Sequence, residues 1–298
     1  MGIRKRTLLI VGCGDVALRA APLLRSHYRL LGLYRKPENR AQLRQSGITP
    51  VYGDLDLPDS LGRISGLAHT VLHFAPPPDH GQADSRTAHL LAALVKRPRI
   101  KAAILPQRLV YISTSGVYGD CRGAFIDETH PVNPQSERSL RRADAERQIR
   151  AWGQRNGASV SILRVPGIYA FDRLPLGRLK HGCLTILPDE DSYTNHIHAD
   201  DLARIVVAAL RYSRPGRVYN TSDDSSLKMG EYFDLVADHF GLPRPRRITR
   251  AEAEGGLIPQ NLFSFMRESR RLVNQRMKHE LHICLRYPTV SNCLANGR

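Results

Sequence analysis

Three small residues, Gly12, Gly14 and Ala17, follow the apolar run Leu8-Leu-Ile-Val11 in the spacing Gly-x-Gly-x-x-Ala. Each has a use in a turn that leads from a strand into a helix. Gly12 permits a sharp backbone reversal. Gly14 lets the main chain come close against a pyrophosphate, and Ala17 lets the helix lie tightly on its strand. The backbone of Gly12, Cys13, Gly14, Asp15 and Val16 would then offer free N–H groups at the positive end of a helix starting near Asp15. A tight turn needs glycine whether or not anything binds there. The apolar strand before it and the amphipathic stretch Val16–Leu24 after it favour a dinucleotide site.

About twenty residues beyond such a turn, a carboxylate selects the ribose 2′-hydroxyl of NAD, whereas arginine accommodates the 2′-phosphate of NADP. Here the second apolar segment ends in Leu33-Tyr-Arg-Lys36, and no carboxylate appears before Glu38. Arg35 offers a planar fork of donors suited to phosphate, and Lys36 adds charge. The expected cofactor is NADP, with NAD as the alternative.

The chain of 298 residues has 42% hydrophobic and 24% charged residues, an ordinary globular balance with length enough for a real core. Its five cysteines are scattered and form no Cys-x-x-Cys pair, which argues against a disulfide framework and for a reducing, cytoplasmic setting. No stretch has the length and apolarity of a membrane span, so no membrane partner is expected. The net charge of +16 would suit a polyanion partner. Arginine is spread along the whole chain, however, and no basic cluster is interleaved with aromatics as a nucleic-acid groove requires. A small molecule is therefore the expected partner, and nucleic acid is not. Self-association is left open.

Strand-like and helix-like segments alternate through the first half, as a βαβ rhythm requires. Strands are expected at 28–34, 50–52, 70–75, 108–113 and 160–165, and helices at 38–46, 87–95 and 137–152. This predicts an α/β fold with a doubly wound parallel sheet, carried by residues 1–165, and a smaller C-terminal substrate lobe over 166–298. Residues 196–220 read as one further helix and strand returning to the first domain.

The segment Leu109-Val-Tyr-Ile-Ser-Thr-Ser-Gly-Val-Tyr-Gly-Asp120 resembles the fifth strand of the extended short-chain dehydrogenase/reductases, the NAD(P)-dependent epimerase/dehydratases with a Rossmann fold. Other motifs agree in order along residues 7–240. Gly53-Asp54-Leu55 resembles the adenine-contacting turn, and Asp127-Glu128 the acidic loop before the active-site helix. Leu163-Arg-Val-Pro166-Gly-Ile-Tyr169 resembles the sixth strand with its nicotinamide-side turn, and Ile197-His-Ala-Asp-Asp-Leu202 the return to the first domain. Ala75-Pro76-Pro-Pro78 and the Gly-Cys-Gly-Asp turn resemble an atypical branch with mostly undefined substrates. The resemblance implies that Asp54, Ala75, Pro76 and Pro166 contact the cofactor, and that Thr114 orients a substrate oxygen, with Ser115 as a close alternative.

One departure is decisive. The family uses Tyr-x-x-x-Lys on the helix after strand five as its acid/base pair, and alignment through Ala143-Asp-Ala-Glu146 puts Arg138 and Arg142 at those positions. None of the 11 tyrosines is followed four residues later by lysine. Arginine keeps its proton and accepts no hydrogen bond, so it cannot act as the base. Arg138 and Arg142 are instead expected to face the cleft and bind a substrate bearing phosphate or carboxylate, with solvated helix charges as the alternative. Three readings follow: an NADP-dependent epimerase/dehydratase-like oxidoreductase acting on a sugar nucleotide or other carbonyl or hydroxyl compound with another proton donor, Tyr118 or Tyr169; an inactive NADP-binding sensor or scaffold; or a polyanion-binding protein on this fold. His196, His198, Asp200 and Asp201 are not expected to hold a metal. Asp200 or Asp201 is expected to cap the following helix.

Overall fold

The computed structural model describes residues 5–95 and 104–297. Its centre is a seven-stranded parallel sheet. In chain order its strands are β1 (Arg6–Val11), β2 (Tyr28–Tyr34), β3 (Thr49–Tyr52), β4 (Thr70–His73), β5 (Arg108–Thr114), β6 (Ser159–Val165) and, much later, β9 (Val218–Asn220). In space they run β9-β6-β5-β4-β1-β2-β3. The order reverses between β1 and β4, where the two halves of the sheet part and leave a crevice beyond the strand ends.

Strands buried on both faces need apolar residues throughout, and β1 shows why the run Leu8–Val11 has no polar break. Leu8 and Ile10 point to one face, against Ala17, Ala20 and Leu24 of α1 (Asp15–Leu24) and Leu202 and Val206 of α6 (Ala199–Tyr212). Leu9 and Val11 point to the other face, against Leu90 and Leu94 of α3 (Ser85–Val95) and Ile149 and Trp152 of α4 (Glu137–Asn156). The short α2 (Asn39–Gln45) contributes Leu43 to the first face. Between β6 and β9 the chain leaves the sheet, forming β7 (Gly167–Tyr169), α5 (Leu176–Lys180) and β8 (His196–His198), with β7 and β8 paired in parallel. After β9 comes α7 (Met229–His239), which packs with Tyr169, Leu179, Val290 and Cys293 in a core of its own.

The entry to α6 differs from expectation. His198 is the cap, its Nδ1 accepting the Asp200 N–H at 3.2 Å. Neither aspartate caps, because both lie inside the first turn and are taken by tertiary partners. Asp200 accepts from Arg19 at 2.8 Å, and the fully buried Asp201 accepts the N–H groups of Arg286 and Tyr287 at 3.0 and 2.8 Å.

Beneath the crevice lies a buried ion pair. Arg164 on β6 donates to both oxygens of Glu146 on α4, at 3.1 and 2.7 Å, and Ser113 on β5 donates to the same carboxylate at 2.7 Å. Both charged side chains are buried. Removing one partner strands the other charge, which costs about 3–5 kcal/mol. Urea denaturation should therefore show a loss of that order for Glu146→Ala, and a smaller loss when Glu146 and Arg164 are both replaced by methionine. An unchanged midpoint for Glu146→Ala would contradict this role.

Candidate functional site

Gly12 adopts a φ of +91°, and an added Cβ would fall 2.4 Å from the backbone nitrogen of Ala75. No side chain fits between the ends of β1 and β4. Gly14 is different: its φ is −86°, and an added Cβ would meet nothing within 4 Å. It borders a cavity of about 530 Å³ lined by Gly12, Cys13, Gly14, Asp15, Val16 and Ala17 on one side and Phe74, Ala75 and Pro76 on the other. No side chain caps α1, so its first N–H groups remain available. An uncapped helix end with side-chain-free access at Gly14 fits the pyrophosphate of a nicotinamide dinucleotide. Cys13 contributes shape rather than reactivity, because burial pushes its thiol up to about 12.

The cavity continues over the ends of β2 and β3, past Arg35, Asn39, Asp54 and Arg86. Asp54 shapes this end: its carboxylate accepts the Asp56 N–H at 3.0 Å, and Ser60 bonds its backbone. Asp56 is gripped by Arg86 through two bonds of 2.7 Å, and Arg35 stands 3.7 Å away. The Arg86 guanidinium holds this carboxyl below its usual range. Lys36 does not line the cavity; it is exposed and lies 3.9 Å from Glu38. Successive side chains at a strand end leave in different directions, which separates Arg35 from its neighbour.

A second cleft of about 680 Å³ adjoins the first, and Ile112, Arg142, Ile168 and Arg173 line both. Thr114 stands on its wall at the end of β5, its Oγ1 accepting the Gly116 N–H at 3.2 Å and its own proton left to donate. Arg138 and Arg142 both line this cleft, so they are not simply solvated helix charges. Arg142 spends Nη1 on the Tyr111 hydroxyl at 3.0 Å and the Ile112 carbonyl at 2.8 Å. Arg138 lies 4.1 Å over the Phe265 ring. Past Arg138 and Arg178 the space opens into an apolar cavity of about 820 Å³ walled by Leu257, Ile258, Leu262 and Phe265. Among the described residues Arg138, Arg142 and Arg178 have no carboxylate partner, whereas Arg270 pairs with Glu268 at 2.8 Å.

Besides Lys36, two expected positions need correction. Tyr118 does not reach the cleft: it is buried beneath β5, its hydroxyl donating to Asn220 at 2.8 Å with Arg164 4.6 Å from its ring. The glycine at 119, with φ +66°, turns the chain immediately after it and keeps the ring inward. Pro166 lines the second cleft rather than the cavity at the glycine turn, and Ile168, two residues on, is the one that lines both. Tyr169 does line the second cleft, as a buried residue whose ionisation burial strongly opposes.

Three residues escaped the sequence reading, Arg86, Arg173 and Arg178, and His196 is weighed there only as a metal ligand. His196 is buried in the cleft wall, stacked 4.2 Å from Tyr232 with Nδ1 unpartnered, and burial pulls its pKa down to about 4, which keeps it neutral. The arginines carry no local motif, since each is defined by partners far away in sequence.

Residues 18–222 match the model of the NAD dependent epimerase/dehydratase family. Protein YeeZ of Escherichia coli K12 is 29% identical over 142 residues, 47% of this chain and 48% of that protein. The human dTDP-D-glucose 4,6-dehydratase is 23% identical over 170 residues, 54% of this chain and 47% of that protein. The chain thus spans about half the length of the curated relatives it matches. Among solved structures, a functionally unknown conserved protein from Silicibacter pomeroyi superposes with a TM-score of 0.78 at 29% identity, covering 97% of each chain. UDP-glucose 4-epimerase from Thermotoga maritima, solved with UDP-glucose, superposes with a TM-score of 0.75 at 16% identity, covering 97% of this chain and 96% of that one, and so shares the fold. With more than half of its length matched by the family model, the chain belongs to the NAD-dependent epimerase/dehydratase family.

Proposed function

We propose that this protein binds NADP(H) over the Gly12–Ala17 turn and acts on an anionic carbonyl or hydroxyl substrate, sugar nucleotides among them, in the adjoining cleft. Residues 1–165 and 196–220 form the cofactor side in this reading, and the rest of 166–298 the substrate side. The observation that carries it is the pair Arg35 and Arg86 at the adenosine end of the cavity, where Asp56 is already held by Arg86 and the Asp54 carboxylate is turned to the Asp56 N–H. A bound dinucleotide would supply the hydride donor or acceptor. Thr114 would orient the substrate oxygen with its hydroxyl proton. Arg142 would hold hydroxyl groups near the junction of the two clefts, and Arg138 and Arg178 would fix the substrate's negative charge.

A second reading is an NADP-dependent sensor or scaffold without turnover. The two guanidinium groups at the acid/base positions favour it, since neither can accept a proton, and so does the burial of Tyr118. Oxidation of NADPH in the presence of sugar nucleotides, phosphorylated sugars and keto acids separates the two. Turnover on anionic compounds, with none on neutral sugar alcohols, is expected for the enzyme; tight cofactor binding without any turnover would leave the sensor. Retention on heparin with no cofactor binding would replace both by a polyanion-binding protein.

Calorimetric titration should show tighter binding of NADP+ than of NAD+. Arg35→Ala should remove about tenfold of that preference, the worth of one charge-assisted hydrogen bond. Equal affinities in the unaltered protein would contradict the proposed specificity.

The two glycines make a paired test. Gly14→Val should fold normally, because its side chain enters open space, and should lose dinucleotide binding because that space is where the pyrophosphate would lie. Gly12→Ala should fail earlier, at folding, through its clash with Ala75. Undiminished affinity in a folded Gly14→Val protein would rule out the pyrophosphate position.

A further inference from the structure

Arg173 ends the short turn Phe171–Arg173 that follows β7, far in sequence from the glycine turn. In space it arrives beside that turn. Its Nη1 donates to Asp15 Oδ2 at 2.8 Å, and Asp15 is the first residue of α1, directly after Gly14. Arg173 lines both the cofactor cavity and the substrate cleft. From this placement we infer that Arg173 is a ligand for the cofactor pyrophosphate, parked on Asp15 until the dinucleotide arrives. The inference rests on the dinucleotide site proposed above and adds to it a residue from the substrate side of the molecule.

The surrounding charges show why Arg173, and not its neighbour Arg19, is the mobile one. Arg19 is bound by three carboxylates at once: Asp15 at 2.9 Å, Asp172 at 3.0 Å and Asp200 at 2.8 Å. Leaving that cluster would take the arginine partner from Asp172 and Asp200. Arg173 has Asp15 as its one ion-pair partner among the described residues, and both side chains are more than a third exposed. A half-exposed pair of this kind is weakly held.

Asp15 itself creates the need for the exchange. A carboxylate in the first turn suits the helix dipole, but it also stands where a doubly charged pyrophosphate would approach. When Arg173 turns from Asp15 to the phosphate oxygens, Asp15 keeps Arg19 and no charge is left alone. The guanidinium fork then meets an oxyanion whose geometry matches it.

The test is calorimetric titration of the full chain with NADP+, NAD+ and adenosine 2′-phosphate, which lacks the pyrophosphate. Arg173→Gln should weaken both dinucleotides about tenfold and leave adenosine 2′-phosphate unchanged. Arg173→Lys should recover part of the loss. Asp15→Asn, which frees Arg173, should bind the dinucleotides at least as tightly as the unaltered protein. Thermal unfolding of each variant at the unaltered midpoint shows that the fold is kept. Wild-type affinity for dinucleotides in Arg173→Gln would overturn the assignment, as would an equal loss for adenosine 2′-phosphate. A protein that prefers NAD+ would refute the specificity for NADP while a loss in Arg173→Gln still upheld Arg173. A protein that binds neither dinucleotide would refute both.

Discussion

The contact between Gly12 and the backbone of Ala75 is the constraint on which the rest of the site depends. β1 and β4 are neighbours, and their ends come so close that the space between them is smaller than a methyl group. That closeness directs the chain sharply out of β1, sets α1 with its uncapped end over the crevice, and puts Asp15 within reach of Arg173. It also explains why two glycines two residues apart are not equivalent. One is required by the protein's own backbone, and the other leaves room for something that is not protein.

Arginine does several kinds of work here, and burial and partner sort them. Arg164 is buried against Glu146, Arg217 holds Glu280 at the outer edge of the sheet, and Arg108 donates to carbonyls at the end of α6. These are structural. Arg138, Arg142 and Arg178 line a cleft whose carboxylate, Glu268, is paired with Arg270, an arrangement whose remaining self-repulsion an anionic ligand would relieve. The large positive charge of the chain is therefore not one property with one meaning.

The fold was legible because parallel strands covered on both faces must be written in unbroken apolar letters, as at Leu8–Val11 and Leu30–Leu33. The glycine spacing was legible because backbone geometry is a local matter. What escaped the sequence is what depends on distant partners. Arg86 is defined by Asp56, thirty residues earlier along the chain, and Arg173 by Asp15, more than a hundred and fifty away. Tyr118 follows the expected strand-end motif, yet its hydroxyl is claimed by Asn220 on a strand that arrives a hundred residues later. The helix cap fell to His198 for the same reason: Asp201 was needed by Arg286 and Tyr287.

The lateness of β9 has a consequence for how the molecule is made. Val218–Asn220 pairs with β6 only after the chain has left the sheet and built β7, α5, β8 and α6. Without it β6 would lack its outer neighbour and the Tyr118 hydroxyl its Asn220 acceptor. On the ribosome, strands β1 to β5 emerge before that edge can be covered. Pairings that span such long stretches of chain form slowly, and an unpaired parallel strand is an invitation to misassociation while it waits. The closing strand is only three residues long, yet it buries Tyr219 completely and carries the Asn220 that accepts the Tyr118 hydroxyl.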